Sequence, residues 1–465
     1  MKVIVIGTGF VGLTHAAVCS EYGHEVYAYD IDRERIAAYQ TGQRQEIERY
    51  VNEPELAAIV QERLARSLFF CNELAPIIEG VEVIFLCVPT PAGLDGATDL
   101  SSYLAAVSVL APLLAQRRDA GRVVIVNKST VPVGTARSLA QILQEYQVPN
   151  VGVASNPEFL PEGDAVEKSR RPDRVLIGAD DQQDFQLLRL LYSQFVHHVR
   201  IRYIETTPET AEASKYVANS LLFTAISFWN GVAARLAETD EKIRLDELRM
   251  AVTADSRISP WGSYVSNGAG GSCFGKDIQS LIRQLRTGGQ QTPLLDSVYA
   301  INEEQKTYLL ERAEQQGISF QGKTVALVGL AFKQRTNDIR DASSLALIEA
   351  LLQRGVSAIR TYDPMALNNA RRMFTPEKNP LYSKISYHES AQEALQGSHA
   401  VCISTDWQEF RGLSRTIRQT VSPPYVILDG RRMLPDAAEL VRAGYDYVAV
   451  GSVYLQAQEQ KAEEQ

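Results

Sequence analysis

The sequence has little of what disulfide-stapled, metal-centred or membrane-spanning proteins are made from. Five cysteines in 465 residues, Cys19, Cys71, Cys87, Cys273 and Cys402, are odd in number and scattered, with no C-x-x-C and no metal-ligand spacing. That argues against a disulfide framework and a zinc site, and for a reducing cytoplasm. No apolar run approaches the roughly 20 residues that cross a bilayer. No charged-then-apolar leader precedes the first strand-like run, Lys2–Ile6. Basic charge is not in excess either: the net charge is −9, which argues against a nucleic-acid or acidic-membrane surface and requires local basic residues wherever an anion binds. What is present is ordinary for a globular chain, 45% apolar and 22% charged residues. The length exceeds a single core's usual ceiling, so two or three domains are expected.

Up to residue 205, short β-branched runs alternate with helical patterns. Strands are expected at 2–6, 25–29, 82–87, 123–127, 151–154 and 174–178, the pattern of a doubly wound parallel sheet. Residues 206–315 lose the strands and carry apolar residues at helical spacing over 211–236, 245–254, 278–285 and 294–310. One long helix there is expected to link the flanking regions. Residues 316–455 return to alternation, with strands at 324–327, 359–362, 400–403, 426–428 and 447–450 and a helix at 343–354. The fold class is therefore α/β, two Rossmann-like doubly wound domains joined by a helical centre. The Gln/Glu/Lys-rich tail 456–465 reads as disordered.

Gly7-Thr8-Gly9-Phe10-Val11-Gly12 follows the first strand and opens a helix. Glycines there permit a tight turn and close approach of a pyrophosphate seated on the helix N-terminus. Asp30 closes the second strand at the distance suited to a ribose 2′-hydroxyl and repels a 2′-phosphate, which favours NAD over NADP; Arg35 is near enough to offset pyrophosphate charge. Two further strands end in loops that would line the cofactor crevice. One is Cys87-Val88-Pro89-Thr90-Pro91. The other is Lys128-Ser129-Thr130-Val131-Pro132-Val133-Gly134, where Thr130 can orient a water or contact the cofactor. Read alone, each is equally plain turn chemistry.

Asn156-Pro157-Glu158-Phe159-Leu160-Pro161-Glu162-Gly163 offers two carboxylates four residues apart, suited to base and water-orienting roles or simply to a helix start. Lys215 and Asn219, four apart on a helical stretch, share a face and can polarise an oxyanion; the pair is also compatible with an ordinary polar face. Gly270-Gly271-Ser272-Cys273-Phe274-Gly275-Lys276-Asp277 sets a thiol, a cation and a carboxylate within five residues, on glycines that would admit a substrate. The other four cysteines sit in apolar runs and read as core fillers. A nucleophilic sulfur beside a hydride acceptor suggests oxidation of an alcohol, capture of the aldehyde on sulfur, and a second oxidation to the acid. Lys333 and Arg340 after the strand at 324–327, and Arg431 and Arg432 in Asp429-Gly430-Arg431-Arg432, offer a basic clamp for phosphate.

Taken together, NPEFLPEG, RPDRVLIG (171–178), GGSCFGKD, GLAFK, YDP (362–364) and DGRR, in this order over residues 1–450, resemble the UDP-glucose/GDP-mannose dehydrogenase family. The resemblance implies an NAD-binding domain (1–205), a helical dimerisation centre (206–315) and a UDP-sugar domain (316–455). It implies oxidation of a sugar CH2OH to carboxylate with two NAD, on UDP-glucose or, alternatively, GDP-mannose or a UDP-N-acetylhexosamine. By position it makes Cys273 the nucleophile, Lys215 and Asn219 the oxyanion donors, Glu158 an acid–base group, and Asp277 the support for a water with Thr130 and Glu162. It assigns Gly7, Gly9, Phe10, Val11, Gly12, Asp30, Arg35, Thr90, Thr130, Glu162, Lys276 and Arg340 to the cofactor. It assigns Glu158, Phe159, Leu160, Lys215, Asn219, Tyr264, Gly270, Lys333 and Arg431 to the substrate, and Arg257 to that of a neighbouring subunit. The chain departs from the family at Gly262 and Ala269, where relatives place aromatics, and Trp261 or Tyr264 can stand in for the first. The stretch Gln43–Asn52 has no reading from sequence.

Overall fold

The computed structural model describes residues 1–93, 96–119 and 121–457; residues 458–465 of the expected disordered tail lie outside them. The chain divides into two compact units, residues 1–218 with 279–287, and residues 219–278 with 288–465.

The first unit carries an eight-stranded sheet. Its strands are β1 (Lys2–Ile6), β2 (Glu25–Tyr29), β3 (Leu68–Cys71), β4 (Val83–Leu86), β5 (Val123–Asn127), β6 (Val151–Ser155), β7 (Arg174–Ala179) and β8 (Arg202–Thr206). Their order is β3-β2-β1-β4-β5-β6-β7-β8. β1, β4 and β5 are almost wholly buried runs such as VIFL and VVIVN, as expected for strands covered on both faces by helices. The sequence expectation of an all-parallel sheet needs one correction. β6 and β7 run antiparallel, pairing Ala154 with Ala179 and Ser155 with Gly178. β3 and β8 were not foreseen; each lies at the sheet edge and is only partly buried, so its apolar signal is weak. The stretch 43–52 forms a short helix, Arg44–Glu48, anchored by buried Ile47. It leads to Glu53, whose buried carboxylate accepts the amides of Gly163 and, at 3.1 Å, Ala165. The segment that resisted reading from sequence thus helps hold the loop after Glu158.

The second unit carries a parallel six-stranded sheet of order β11-β10-β9-β12-β13-β14. The strands are β9 (Thr324–Val328), β10 (Ala358–Tyr362), β11 (Ile385–Tyr387), β12 (Ala400–Ile403), β13 (Tyr425–Asp429) and β14 (Tyr445–Ala449). The order repeats that of β1–β6, with the same reversal beside the first strand; such reversals open the crevices in which α/β proteins bind ligands. Leu455 bridges back to Tyr447 and the Ala457 amide donates to Asp446 at 2.8 Å, so the tail is tied as far as residue 457.

No strand occurs over 207–310 among the described residues. The helix Pro208–Phe228 continues through a π-turn at Trp229–Ala234 to Ala237. By length and composition it is the one helix among the described residues able to cross a membrane, a stretch that sequence reading passed over because Asn219, Ser220, Ser227 and Asn230 interrupt it. Half of the qualifying window is buried within the protein, as in a core helix.

Candidate active site

The Gly7–Gly12 turn is built by close approach. Gly7 has φ +92°, and a β-carbon on Gly12 would lie 1.8 Å from the Gly7 carbonyl oxygen, so neither position admits a side chain. Gly9 is the opposite case. It is the N-cap of the helix Phe10–Glu21 and supplies no side-chain cap; the first turn holds no acid, and a β-carbon there would meet nothing within 4 Å. An open space over uncapped helix amides fits a pyrophosphate. Phe10 and Val11, half-buried, begin that helix.

Asp30 ends just beyond β2, and its Oδ2 accepts the Thr8 amide at 2.8 Å, the Thr8 hydroxyl at 2.9 Å and Arg35 Nη1 at 2.9 Å. Burial alone would push its carboxyl up; these donors together with the Asp32 amide hold it below the ordinary carboxylate value. The anion therefore persists, with spare acceptor capacity on Oδ1 beyond the Asp32 amide, which suits a ribose diol. Thr90 donates its hydroxyl to the Thr130 carbonyl at 2.8 Å, joining the two loops beyond β4 and β5.

Glu158 and Lys215 form a buried ion pair at 2.8 Å, their side chains 8% and 5% exposed. Glu158 Oε2 also accepts the Leu160 amide at 2.6 Å. Burial pushes the Glu158 carboxyl up, but Lys215, the Leu160 amide and Lys128 outweigh it and leave it below the ordinary value. Removing one member of such a pair strands a buried charge, which costs about 3–5 kcal/mol. Phe159 presents its ring to two cations. The Arg174 guanidinium stands 3.6 Å and Lys215 Nζ 5.5 Å from its ring centre, arrangements that stabilise cations on an aromatic face. Glu162 is half-buried on the same irregular loop.

Lys215 and Asn219 share one helix, Pro208–Phe228, but each has its own carboxylate partner. Asn219 Nδ2 donates to Asp277 Oδ2 at 2.6 Å, both side chains being buried. Lys276 Nζ stands 2.7 Å from Asp277 Oδ1, and the Asp277 amide closes the first turn of a helix on the Cys273 carbonyl at 2.8 Å. Cys273 is exposed and immediately precedes that helix, Phe274–Thr287. The other thiols behave as fillers: burial pushes Cys19, Cys87 and Cys402 up to about 12 and Cys71 up to about 11.

The glycines before Cys273 are required by the local packing. A β-carbon on Gly270 would come within 2.6 Å of the Asp341 carbonyl, and one on Gly271, at φ +90°, would lie 3.0 Å from the Phe332 ring. Gly262, at φ +79°, would bring a β-carbon to 2.9 Å from that of Ala225, which accounts for the missing aromatic. Trp261 and Tyr264 are exposed and meet edge to face, centroids 6.3 Å apart.

Arg431 is half-buried; Nε donates to the Ser404 carbonyl at 2.8 Å and Nη2 to that of Phe332 at 2.9 Å. Two fixed N–H groups orient a guanidinium whose remaining donors suit an anion. Lys333 sits half-buried beside Phe332. Arg340 and Arg257, both exposed, fold onto carboxylates two residues away, Asp338 and Asp255. Sequence reasoning missed Glu53, whose isolated carboxylate gives no spacing signal, and Asn156, which reads as the first residue of a turn.

A glycine turn at a helix N-terminus, with a buried carboxylate at the end of the next strand of a doubly wound sheet, is the pattern of a dinucleotide-binding domain. Sequence models of three domains of the UDP-glucose/GDP-mannose dehydrogenase family match the chain: the NAD binding domain over residues 1–196, the central domain over 209–304 and the UDP binding domain over 326–436. The chain is 40% identical to the UDP-glucose 6-dehydrogenase of Pseudomonas aeruginosa over 97% of each chain. It is 33% identical to UDP-glucose 6-dehydrogenase TuaD of Bacillus subtilis over 97% of this chain and 93% of that one. Among solved structures it is similar to a UDP-glucose dehydrogenase of Pyrobaculum islandicum, with TM-score 0.86 and 29% identity over 97% and 98% of the two chains. The chain belongs to the UDP-glucose/GDP-mannose dehydrogenase family and is an NAD-dependent nucleotide-sugar dehydrogenase.

Proposed function

We propose that the chain acts in the cytoplasm as a UDP-glucose 6-dehydrogenase, oxidising UDP-glucose to UDP-glucuronate with two NAD. The observation that carries this reading is an exposed thiol, Cys273, at the start of a helix whose first turn holds the buried Asn219–Asp277 hydrogen bond. Gly7, Gly9, Phe10, Val11, Gly12, Asp30 and Arg35 with Thr90, Thr130, Glu162, Lys276 and Arg340 would hold NAD, which would supply the hydride acceptor at each oxidation. Glu158, ionised, receives the proton released from the sugar 6-hydroxyl, Lys215 and Asn219 stabilise its oxygen as negative charge builds, and C6 gives up its first hydride to leave the aldehyde. The Cys273 thiolate, favoured by the helix N-terminus and by Lys276, adds to the aldehyde carbon. The carbon–sulfur bond forms as the carbonyl pair moves onto oxygen, giving a thiohemiacetal oxyanion that Lys215 and Asn219 stabilise. Loss of the second hydride leaves a thioester. A water held by Asp277, Thr130 and Glu162 adds to it, and the sulfur departs as thiolate. Covalent capture explains how both oxidations occur without release of an aldehyde.

Phe159, Leu160, Tyr264 and Gly270 are assigned to the sugar and base, Lys333 and Arg431 to the diphosphate. The 40% relative supports UDP-glucose over GDP-mannose or a UDP-N-acetylhexosamine. Residues 1–205 are assigned to NAD, 206–315 to dimerisation and 316–455 to the nucleotide sugar, with Arg257 reaching the substrate of a second copy. The test is NADH released per sugar over a panel of UDP-glucose, GDP-mannose and UDP-N-acetylhexosamines. Two NADH per UDP-glucose, with the others poor, is the expected result; preference for another sugar, or one NADH per turnover, contradicts the reading.

A further inference from the structure

Lys128 follows β5 and is 8% exposed, although lysine is seldom buried without a countercharge. Its Nζ donates to a neutral acceptor, Asn156 Oδ1, at 2.9 Å. Tyr192 donates its hydroxyl to the same oxygen at 2.6 Å, and Asn156 Nδ2 donates to the Leu176 carbonyl at 2.9 Å. The amide is thereby fixed with its oxygen towards the ammonium. Asn156 opens the loop that carries Glu158 two residues later, and Glu158 is the partner of Lys215. Two ammonium groups therefore act on one short loop, Lys128 through Asn156 and Lys215 through Glu158.

The groups facing Lys128 leave its charge largely uncompensated. Cys87 from the end of β4 and Cys19 from the helix Phe10–Glu21 stay protonated, since burial pushes both thiols to about 12. Tyr192 is raised by burial as well. His15, on the same helix as Cys19, is held neutral by burial and by the charges of Lys128 and His24. Glu158 remains as the anion acting on Lys128, and Lys215 opposes it.

We propose that Lys128 is a positioning residue: through Asn156 it holds the Glu158 loop, and its buried ammonium sets the charge state of the Glu158–Lys215 pair. This rests on the roles given above to Glu158 and Lys215. Removing the Lys128 charge takes a stabilising cation from Glu158 and a repelling one from Lys215. Both groups then hold their protons more tightly, and both limbs of the pH–rate profile that they govern move to higher pH. A lysine that only fills space moves neither.

The experiment compares kcat/KM against pH, with UDP-glucose and NAD, for the unaltered protein, Lys128→Met and Lys128→Arg. The expected outcome is an upward shift of both limbs by about half a unit or more in Lys128→Met, with limbs at their original positions in Lys128→Arg, which keeps the charge. Unshifted limbs in a folded Lys128→Met, whatever its kcat, overturn the proposal. A second measurement does not need Lys128→Met to fold: carbon NMR titration of the lysine Cε groups in the unaltered protein, with the Lys128 signal identified by its loss in Lys128→Arg. A Lys128 titration below that of the exposed lysines supports the proposal; one coincident with theirs overturns it. If the unaltered protein does not oxidise UDP-glucose, the functional reading fails by itself and the lysine titration decides the role of Lys128.

Discussion

At the scale of single residues, the chemistry depends on charges whose partners are fixed by the fold. Asp30 shows how much of that was legible. Its position after the second strand marked it as a ribose acceptor, but its bond to Arg35 was not readable, because sequence gives separation along the chain and not direction of side chains. The sign of its titration follows from its depressed value. Its contribution to stability is fully present above the unfolded carboxyl value of about 3.9 and is lost as pH falls through the lower folded value. Asp30→Ala also releases Arg35, whose guanidinium then suits a 2′-phosphate. The expected result is a fall of about tenfold or more in the preference for NAD over NADP, read as the ratio of kcat/KM values. An unchanged ratio contradicts the role given to Asp30. Lys215 and Asn219 were legible as a pair on one helix face, yet the structure gives each a different carboxylate, a distinction that helical spacing does not contain.

At the scale of elements, the long runs were the readable ones. The buried strands at 2–6, 123–127 and 400–403 and the helices of 208–315 carry clean apolar patterns, whereas β3, β8 and β11 are short edge strands whose half-buried residues mimic loops. The antiparallel turn of β7 against β6 has no sequence signature, since a strand reads the same in either direction. The long central helix carries a second pattern that its length concealed. Val217, Leu221, Phe228, Val232 and Leu236 are 48–68% exposed, at separations of four and seven residues that align them along one face. An apolar stripe of this kind fits the face of a second copy of the chain. Pairing through this stripe predicts a dimer for the unaltered protein and a monomer for Leu221→Glu with Phe228→Glu, by light scattering after gel filtration, each burial contributing about 1.5–3 kcal/mol. An unchanged mass places the interface elsewhere.

At the scale of the whole molecule, one architecture is used twice. Both sheets run in the order third, second, first, fourth, fifth, sixth strand, yet only the first carries the open glycine turn at a helix N-terminus. The alternation of strands and helices made this duplication readable; the different ligands proposed for the two sheets rest on local chemistry, Gly9 and Asp30 in one and Arg431 and Lys333 in the other. The grouping of residues into compact units was not. Asp30, Glu158 and Lys215 fall in one unit and Asn219, Cys273, Asp277 and Arg431 in the other, with the division passing between Ala218 and Asn219 inside a helix, a place no loop or linker signal marks. The central claim, that sulfur carries the sugar between two oxidations, is tested most directly by counting NADH formed per UDP-glucose in Cys273→Ser. Arrest after no more than one NADH per active site, or a trapped covalent adduct, is the predicted result. Continued turnover at two NADH per sugar, at the rate of the unaltered protein, contradicts it.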